Sequence, residues 1–82
     1  MARLAIIGTG YVGLTTGACL AHLGHDVLCA DVDVDKVERL KAGQMPIVED
    51  GLSELVLEGL AADRLGFTAD VAGSVVDRQV VF

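Results

Sequence analysis

Three glycines near the start of the chain have the spacing of a phosphate-binding loop. The stretch IIGTGYVGL places Gly8, Gly10 and Gly13 in a G-x-G-x-x-G pattern directly after an apolar run. In that pattern the first glycine permits a tight turn, the second lets a pyrophosphate approach the backbone, and the third lets a helix pack on the sheet. Free N–H groups at the start of the helix attract an anion. We therefore predict a pyrophosphate-binding loop, the alternative being a turn that holds no ligand.

Asp31 is the second residue whose position indicates chemistry, because it directly follows the apolar run VLCA. A carboxylate at the end of the second strand can accept hydrogen bonds from both hydroxyls of an adenosine ribose. A 2′-phosphate there would face Asp31 and Asp33, and two like charges at about 4 Å repel by a few kcal/mol at an effective dielectric near 20. No arginine stands at positions 32 to 35 to compensate. These residues predict NAD rather than NADP. Lys36 is within reach of the ribose edge or a phosphate, but on its own it is typical of a solvated helix residue.

Alternating strands and helices are needed to bring these residues together. The hydropathy pattern predicts strands at Leu4–Ile7, Val27–Ala30, Leu65–Thr68 and from Gln79 onward. Between them it predicts a first helix at Val12–Leu23 and a second at Val34–Ala42, capped by Asp33 or Asp35. A loop at 44–49 follows, and a third helix is predicted to begin after a cap at Asp50. A helical turn is predicted within 70–77. This order predicts an α/β fold: a Rossmann-like parallel sheet with flanking helices and right-handed crossovers.

The first predicted helix carries two rows of residues that could face the sheet. Larger side chains define a candidate core face, which comprises Val12, Thr16, Cys19, Leu20 and Leu23. Very small residues form a second row at a spacing of four: Gly13, Gly17 and Ala21. A row of small residues predicts that the helix lies close to a strand.

Composition excludes several classes of function. The chain has 82 residues, a net charge of −6 and a pI near 4.5, whereas a nucleic-acid surface needs a basic face. The first apolar run stops at Gly8, too early for a signal peptide, and no apolar segment reaches the roughly 20 residues of a membrane span. Cys19 and Cys29 lack metal-ligand spacing and are expected to be buried, reduced thiols. We therefore expect no metal site, no membrane contact, no nucleic-acid partner and a cytoplasmic location.

The end of the sequence is apolar, since Gln79–Phe82 has no turn or polar tail after it. Complete domains rarely stop within a strand. This pattern predicts that residues 1–82 are the N-terminal part of a nucleotide-binding domain, truncated at its C-terminal end. An unfinished sheet edge would also favour self-association.

The stretch IIGTGYVGLTTGACLAHLGHDVLCADVD resembles the N-terminus of the UDP-glucose/GDP-mannose dehydrogenase family, and its branch that acts on UDP-glucose most of all. The Tyr11–Leu14 continuation is more specific than the glycine pattern alone. The segment PIVEDGLSEL resembles the family's loop before its third helix, although Asp50 stands where a proline is usual. The resemblance covers the whole chain but only the first part of a typical family member.

The resemblance implies a role for each matching residue. It makes Gly8, Thr9, Gly10, Tyr11, Val12 and Gly13 the pyrophosphate loop, and Asp31 with Lys36 the pair that contacts the ribose. It implies NAD as cofactor, a UDP-sugar as substrate of a homo-oligomeric parent, and oxidation of the sugar C6 alcohol in two NAD-dependent steps. The thioester-forming cysteine of the family lies in a downstream motif, so neither Cys19 nor Cys29 is expected to be catalytic.

Two other functions are compatible with the same glycine loop and aspartate. One is a nucleotide-sensing module without catalysis, and the other is a different NAD-dependent dehydrogenase, such as a hydroxyacyl-CoA type. Sequence downstream of Phe82 would separate the resembled enzyme from the nucleotide-sensing module, because a cysteine-bearing active-site segment supports the enzyme and a membrane or DNA-binding segment supports the module. The run from Gly10 to Leu14 argues against the hydroxyacyl-CoA type only through the resemblance.

Overall fold

Four parallel strands form one sheet in the computed structural model, which describes residues 1–45 and 51–81. The strands are β1 (Arg3–Ile7), β2 (Asp26–Ala30), β3 (Leu65–Thr68) and β4 (Gln79–Val80). The described helices are α1 (Tyr11–His22), α2 (Val34–Lys41), α3 (Leu52–Ala61) and α4 (Val71–Ser74). The strand order β3-β2-β1-β4 and the parallel pairing confirm the predicted Rossmann-like α/β fold.

The centre of the sheet is the pair β1 and β2. Their register runs from Arg3 opposite Asp26 to Ile7 opposite Ala30. Apolar residues on both faces of these strands are buried, as expected for a parallel sheet covered by helices. Because the two strands end at the same level, the residues that follow them, Gly8 and Asp31, emerge side by side.

α1 packs on the sheet through its small residues, as one of the two predicted rows requires. Its buried residues are Gly13, Leu14, Gly17, Ala18 and Ala21. The other predicted row is mostly wrong as a core face: Leu20 packs partly against the core, but Val12 is 65% exposed, Leu23 is 72% exposed, and Cys19 is exposed as well. The small residues determine the orientation because a helix can approach a sheet closely only where its side chains are short.

Close contact at Gly17 shows how near α1 lies to the sheet. A Cβ atom at this position would lie 2.7 Å from the Cys29 Sγ and 3.2 Å from the Ile6 Cδ1. A similar contact joins α3 to β3, since a Cβ at Gly59 would lie 2.7 Å from the Leu65 Cβ. At Gly17 and Gly59, therefore, α1 and α3 lie so close to the sheet that any side chain larger than that of glycine would force neighbouring atoms to move.

The remaining helices agree closely with their predicted bounds. Asp33 caps α2, whose Val37 and Leu40 are buried, whereas Val34 at the start of the helix is 57% exposed. α3 buries Leu52 and Val56, with Leu55 and Leu60 packed partly against the core. The predicted cap at Asp50, most of the loop at 44–49 and the terminal Phe82 lie outside the described residues.

The two cysteines occupy different environments. Cys29 is fully buried in β2, and its burial raises the pKa of the thiol to about 12, so the group is neutral at physiological pH. Cys19 is exposed on α1, which corrects the expectation that both thiols are buried. The physical reason is the helix orientation described above, which buries Gly17, Ala18 and Ala21 and leaves Cys19 on the exposed side of α1.

Arg78 connects three segments at the amino ends of the strands. Its Nη1 donates to the Leu4 carbonyl oxygen (3.2 Å), to the Asp26 carbonyl oxygen (3.1 Å) and to the Asp26 Oδ1 (3.2 Å). Arg3 approaches the same carboxylate, with 3.8 Å between its Nε and the Asp26 Oδ2. This charged cluster fixes the start of β1, β2 and β4 relative to one another.

None of the helices within residues 1–45 and 51–81 is long and apolar enough to cross a membrane. Over the same residues, no three His, Cys, Asp or Glu side chains are grouped so that they could hold a metal ion.

Candidate functional site

The candidate site lies at the carboxyl ends of β1 and β2, where the glycine loop meets Asp31. The two chain segments are joined directly, because the Gly8 N–H donates to the Ala30 carbonyl oxygen at 2.7 Å. Ligands of open parallel sheets bind at the carboxyl ends of the strands. The fold thus brings together the two sequence features that indicated chemistry.

Each of the three loop glycines meets a different requirement. Gly8 has a φ of +97°, a backbone conformation that favours glycine. A Cβ at Gly13 would overlap the Gly8 carbonyl oxygen, so this glycine allows α1 to pack against the turn. A Cβ at Gly10, by contrast, would have no protein atom within 4 Å. Backbone conformation therefore accounts for glycine at position 8 and packing accounts for it at position 13, but neither accounts for it at position 10.

The amino terminus of α1 has no side-chain cap, unlike that of α2. Gly10 precedes α1 in an extended conformation and supplies no side chain to its N–H groups. At α2, the Asp33 Oδ1 accepts a hydrogen bond from the Lys36 N–H at 3.1 Å. The first N–H groups of a helix lack intrahelical acceptors and carry partial positive charge. The start of α1 therefore presents donors that can bind an anion, while Tyr11 and Val12 beside them are exposed.

Thr9 links the glycine loop to Asp31 through two hydrogen bonds. Its N–H donates to the Asp31 Oδ2 at 2.9 Å, and its hydroxyl donates to the same oxygen at 2.7 Å. Thr9 is only 1% exposed, so the pair is protected from water on the threonine side. The sequence did not predict this contact, because a threonine between two glycines gives no sign of which side chain it contacts.

The Asp31 carboxylate is held mainly by neutral donors. The Thr9 hydroxyl is the largest cause that lowers its pKa, from 3.8 to about 2, and the N–H groups of Asp33 and Thr9 and the charge of Lys36 act in the same direction. Partial burial opposes the shift. The carboxylate is consequently ionised at physiological pH.

Lys36 lies beside Asp31, as its predicted role requires. The distance from its Nζ to the Asp31 Oδ2 is 3.8 Å, and the two side chains are 26% and 17% exposed. Both side chains are therefore partly accessible to a ligand from solvent.

The hydrogen bonds that Asp31 already accepts reduce the number of ribose hydroxyls that it can contact, which was predicted to be two. A carboxylate has about four lone-pair sites. The Oδ2 accepts from the N–H and the hydroxyl of Thr9, and the Oδ1 accepts from the Asp33 N–H at 3.0 Å. In this arrangement Asp31 can accept one further hydrogen bond, through Oδ1.

Comparison with known proteins gives one consistent family. The sequence profile of the "UDP-glucose/GDP-mannose dehydrogenase family, NAD binding domain" matches residues 2–82. The UDP-glucose 6-dehydrogenase of Rhizobium meliloti is 49% identical over 80 residues, which are 98% of this chain and 18% of that protein. The UDP-glucose 6-dehydrogenase AglM of Haloferax volcanii is 52% identical over 80 residues, with the same shares of the two chains.

A solved structure agrees with these relatives. A ternary complex of the GDP-mannose dehydrogenase from Pseudomonas aeruginosa superposes with a TM-score of 0.89 and 36% sequence identity, covering 98% of this chain and 19% of that one. The chain thus spans less than a fifth of the length of the proteins it matches, at their NAD-binding domain. On the profile match, the sequence identities and the shared fold, this chain belongs to the UDP-glucose/GDP-mannose dehydrogenase family and carries sequence of its NAD-binding domain.

Proposed function

We propose that this chain is the first part of the NAD-binding domain of a UDP-glucose 6-dehydrogenase, and that it binds the adenosine and pyrophosphate portion of NAD. In this proposal the loop from Gly8 to Gly13, including Thr9, Gly10, Tyr11 and Val12, surrounds the pyrophosphate. Asp31 and Lys36 contact the ribose.

The observation that carries the proposal is the uncapped amino terminus of α1 beside a glycine that packing does not require. A side chain at Gly10 would project into space free of protein atoms. Glycine there is explained if a pyrophosphate comes close to the backbone and accepts hydrogen bonds from the start of α1. The binding of a dianion by a chain with a net charge of −6 also requires local donors of this kind.

The ionised Asp31 supports a preference for NAD over NADP. Its low pKa keeps the carboxylate charged, so a 2′-phosphate on the same ribose would be repelled. Lys36 is the only cation paired with this carboxylate among the described residues, and it offsets the repulsion only in part.

When bound, NAD would accept a hydride from the sugar alcohol, and this chain would orient the cofactor by holding its adenosine end. UDP-glucose is the proposed substrate of the whole protein, because UDP-glucose 6-dehydrogenases are among its relatives at 49% and 52% identity. We expect no turnover of UDP-glucose by the chain alone, since it covers only 18% of the length of these relatives. The homo-oligomeric parent and the cytoplasmic location stay predictions.

Two glycine-to-alanine variants test the proposal. Calorimetric titration of Gly10→Ala with NAD should show affinity reduced by about tenfold or more, because the added methyl group occupies the path of the pyrophosphate. Its thermal stability should change little, since the methyl group meets no protein atom within 4 Å. NAD affinity equal to that of the unmodified chain would refute the proposed pyrophosphate site.

Gly13→Ala is the matched control for this test. Its Cβ overlaps backbone at Gly8, so the expected result is a clear loss of thermal stability together with weaker NAD binding. Loss of stability in Gly13→Ala, with loss of binding alone in Gly10→Ala, would separate the ligand requirement from the packing requirement.

A further inference from the structure

We propose that Thr9 is a positioning residue that fixes the Asp31 carboxylate and thereby sets how strongly the site distinguishes NAD from NADP. This proposal rests on the proposed NAD site. It assigns Thr9 a task different from that of the glycines around it, because Thr9 acts through Asp31 rather than on the pyrophosphate.

The geometry gives Thr9 control over one carboxylate oxygen. Both of its donors reach the Asp31 Oδ2, at 2.9 and 2.7 Å, so this oxygen has no lone pair left for a ligand. The Oδ1 keeps one free lone pair beside the Asp33 N–H. Thr9 thus determines which oxygen is offered to the ribose and prevents the carboxylate from rotating.

Burial makes the contact rigid. Thr9 is 1% exposed, and β-branching restricts its side chain to few rotamers. Its backbone belongs to the loop that follows β1, whereas Asp31 follows β2. The two hydrogen bonds therefore also hold the glycine loop at a set distance from the ribose-binding carboxylate.

A fixed carboxylate discriminates against a 2′-phosphate better than a mobile one. If Asp31 could turn, its charge would move away from the phosphate and Lys36, 3.8 Å from the Oδ2, would be freed to attract it. With the Oδ2 held by Thr9, that rearrangement would break two hydrogen bonds. Selectivity for NAD then depends on the Thr9 hydroxyl as well as on Asp31 itself.

The test uses variants that remove or restore the hydroxyl. Thr9→Val keeps the branched shape and the N–H but loses the hydroxyl, whereas Thr9→Ser keeps the hydroxyl. Calorimetry with NAD and NADP should show NAD affinity about tenfold lower in Thr9→Val, NADP affinity higher because Lys36 is freed to attract the 2′-phosphate, and near-normal values in Thr9→Ser. Thr9→Ala provides a second hydroxyl-free variant if the valine does not fold.

Titration of the Asp31 side chain by carbon NMR supplies a readout without cofactor. The charged and titratable groups that face this carboxylate are Lys36 and Asp33, on the α2 side, and they are unchanged in all variants. The Asp31 pKa should therefore move from about 2 toward its ordinary 3.8 in Thr9→Val and stay low in Thr9→Ser. An unchanged Asp31 pKa in both hydroxyl-free variants would overturn the proposal.

Thr15, on α1, offers a matched control outside the glycine loop. Its hydroxyl is buried and has no hydrogen-bond partner among the described residues. Thr15→Val should leave the Asp31 pKa and both affinities unchanged.

A raised Asp31 pKa in Thr9→Val with unaltered NAD and NADP affinities would also overturn the positioning role. Failure of the unmodified chain to bind NAD would refute the proposed function, and the NMR titration would still decide whether Thr9 controls Asp31.

Discussion

An aspartate stands at each end of β2, and the two carboxylates are held in opposite ways. Asp26, at the amino end, is contacted by the guanidinium groups of Arg78 and Arg3. Asp31, just beyond the carboxyl end, is held by the hydroxyl and N–H of Thr9 and by the N–H of Asp33, with Lys36 farther away.

Under the proposed function, the difference separates a structural carboxylate, Asp26, from a ribose-binding one, Asp31. At Asp26, cations cancel the charge, and Arg78 uses the same contact to tie neighbouring strands together. At Asp31, neutral dipoles fix the carboxylate while leaving most of its charge in place and one lone pair free. The second arrangement suits a group that selects NAD, because a carboxylate whose charge is not offset by arginine repels a 2′-phosphate more strongly and keeps a lone pair for a hydroxyl.

The largest expected effect is on stability, at the amino end. Arg78→Ala removes three hydrogen bonds of a side chain that is 12% exposed, and leaves the Asp26 charge without its main cation. We expect a loss of about 2–3 kcal/mol in the free energy of unfolding. Urea titration measures this loss. Arg64→Ala, which removes an exposed arginine, should cost much less; equal losses would show that the cluster has no special role.

The next effect is on binding, at the carboxyl end. Asp31→Ala should weaken NAD binding by about tenfold or more and narrow the preference for NAD over NADP. Asp26→Ala should leave both affinities within about twofold, since Asp26 is at the far end of the strand. Calorimetry on the two variants provides the comparison. Equal effects on NAD affinity would contradict the division of roles between the two ends.

A smaller, directional effect concerns pH. Because the pKa of Asp31 is lowered from 3.8 to about 2, the stability that its ionised form contributes is complete above 3.8 and is lost only as pH falls toward 2. NAD affinity should therefore stay nearly constant from pH 7 down to about pH 4.5. Titrations at several pH values would check this. In Thr9→Val, the decline should begin at a higher pH.

The smallest effect belongs to Arg3. Its contact with Asp26 is 3.8 Å long, and the two side chains are 54% and 36% exposed. Exposed ion pairs contribute about 0–1 kcal/mol, so Arg3→Ala should lower stability by less than about 0.5 kcal/mol. Thermal unfolding at low and high salt would measure it. A loss as large as that of Arg78→Ala would mean that the two arginines act as one unit.

The sequence predicted the fold and the location of the site, because both depend on local patterns. Apolar runs identified the strands, and Gly8, Gly13 and Asp31 lie where parallel pairing of β1 and β2 places them. For α1, the sequence correctly predicted that the row of small residues faces the sheet, but it also predicted a core face that includes exposed residues. Periodicity alone counted Val12 and Leu23 as core residues, but the close approach of the helix to the sheet favours Gly13 and Gly17 instead.

Contacts between distant residues could not be predicted in the same way. The hydrogen bonds from Thr9 to Asp31 and from Arg78 to Leu4 depend on side-chain rotamers and on the exact meeting of loops. A threonine in a glycine loop and an arginine before a short strand have many uses in other proteins. Only the assembled sheet shows which carboxylate each of them contacts.

The contact between Gly17 and Cys29 restricts how this sequence can evolve. A Cβ at position 17 would lie only 2.7 Å from the Cys29 sulfur. A larger residue at either position therefore requires a smaller residue at the other. An alanine at position 17 thus becomes tolerable together with a smaller residue at position 29. Substitutions at the two positions should therefore arise in pairs among descendants of this chain, on a helix and a strand whose ends carry the loop and the carboxylate described above.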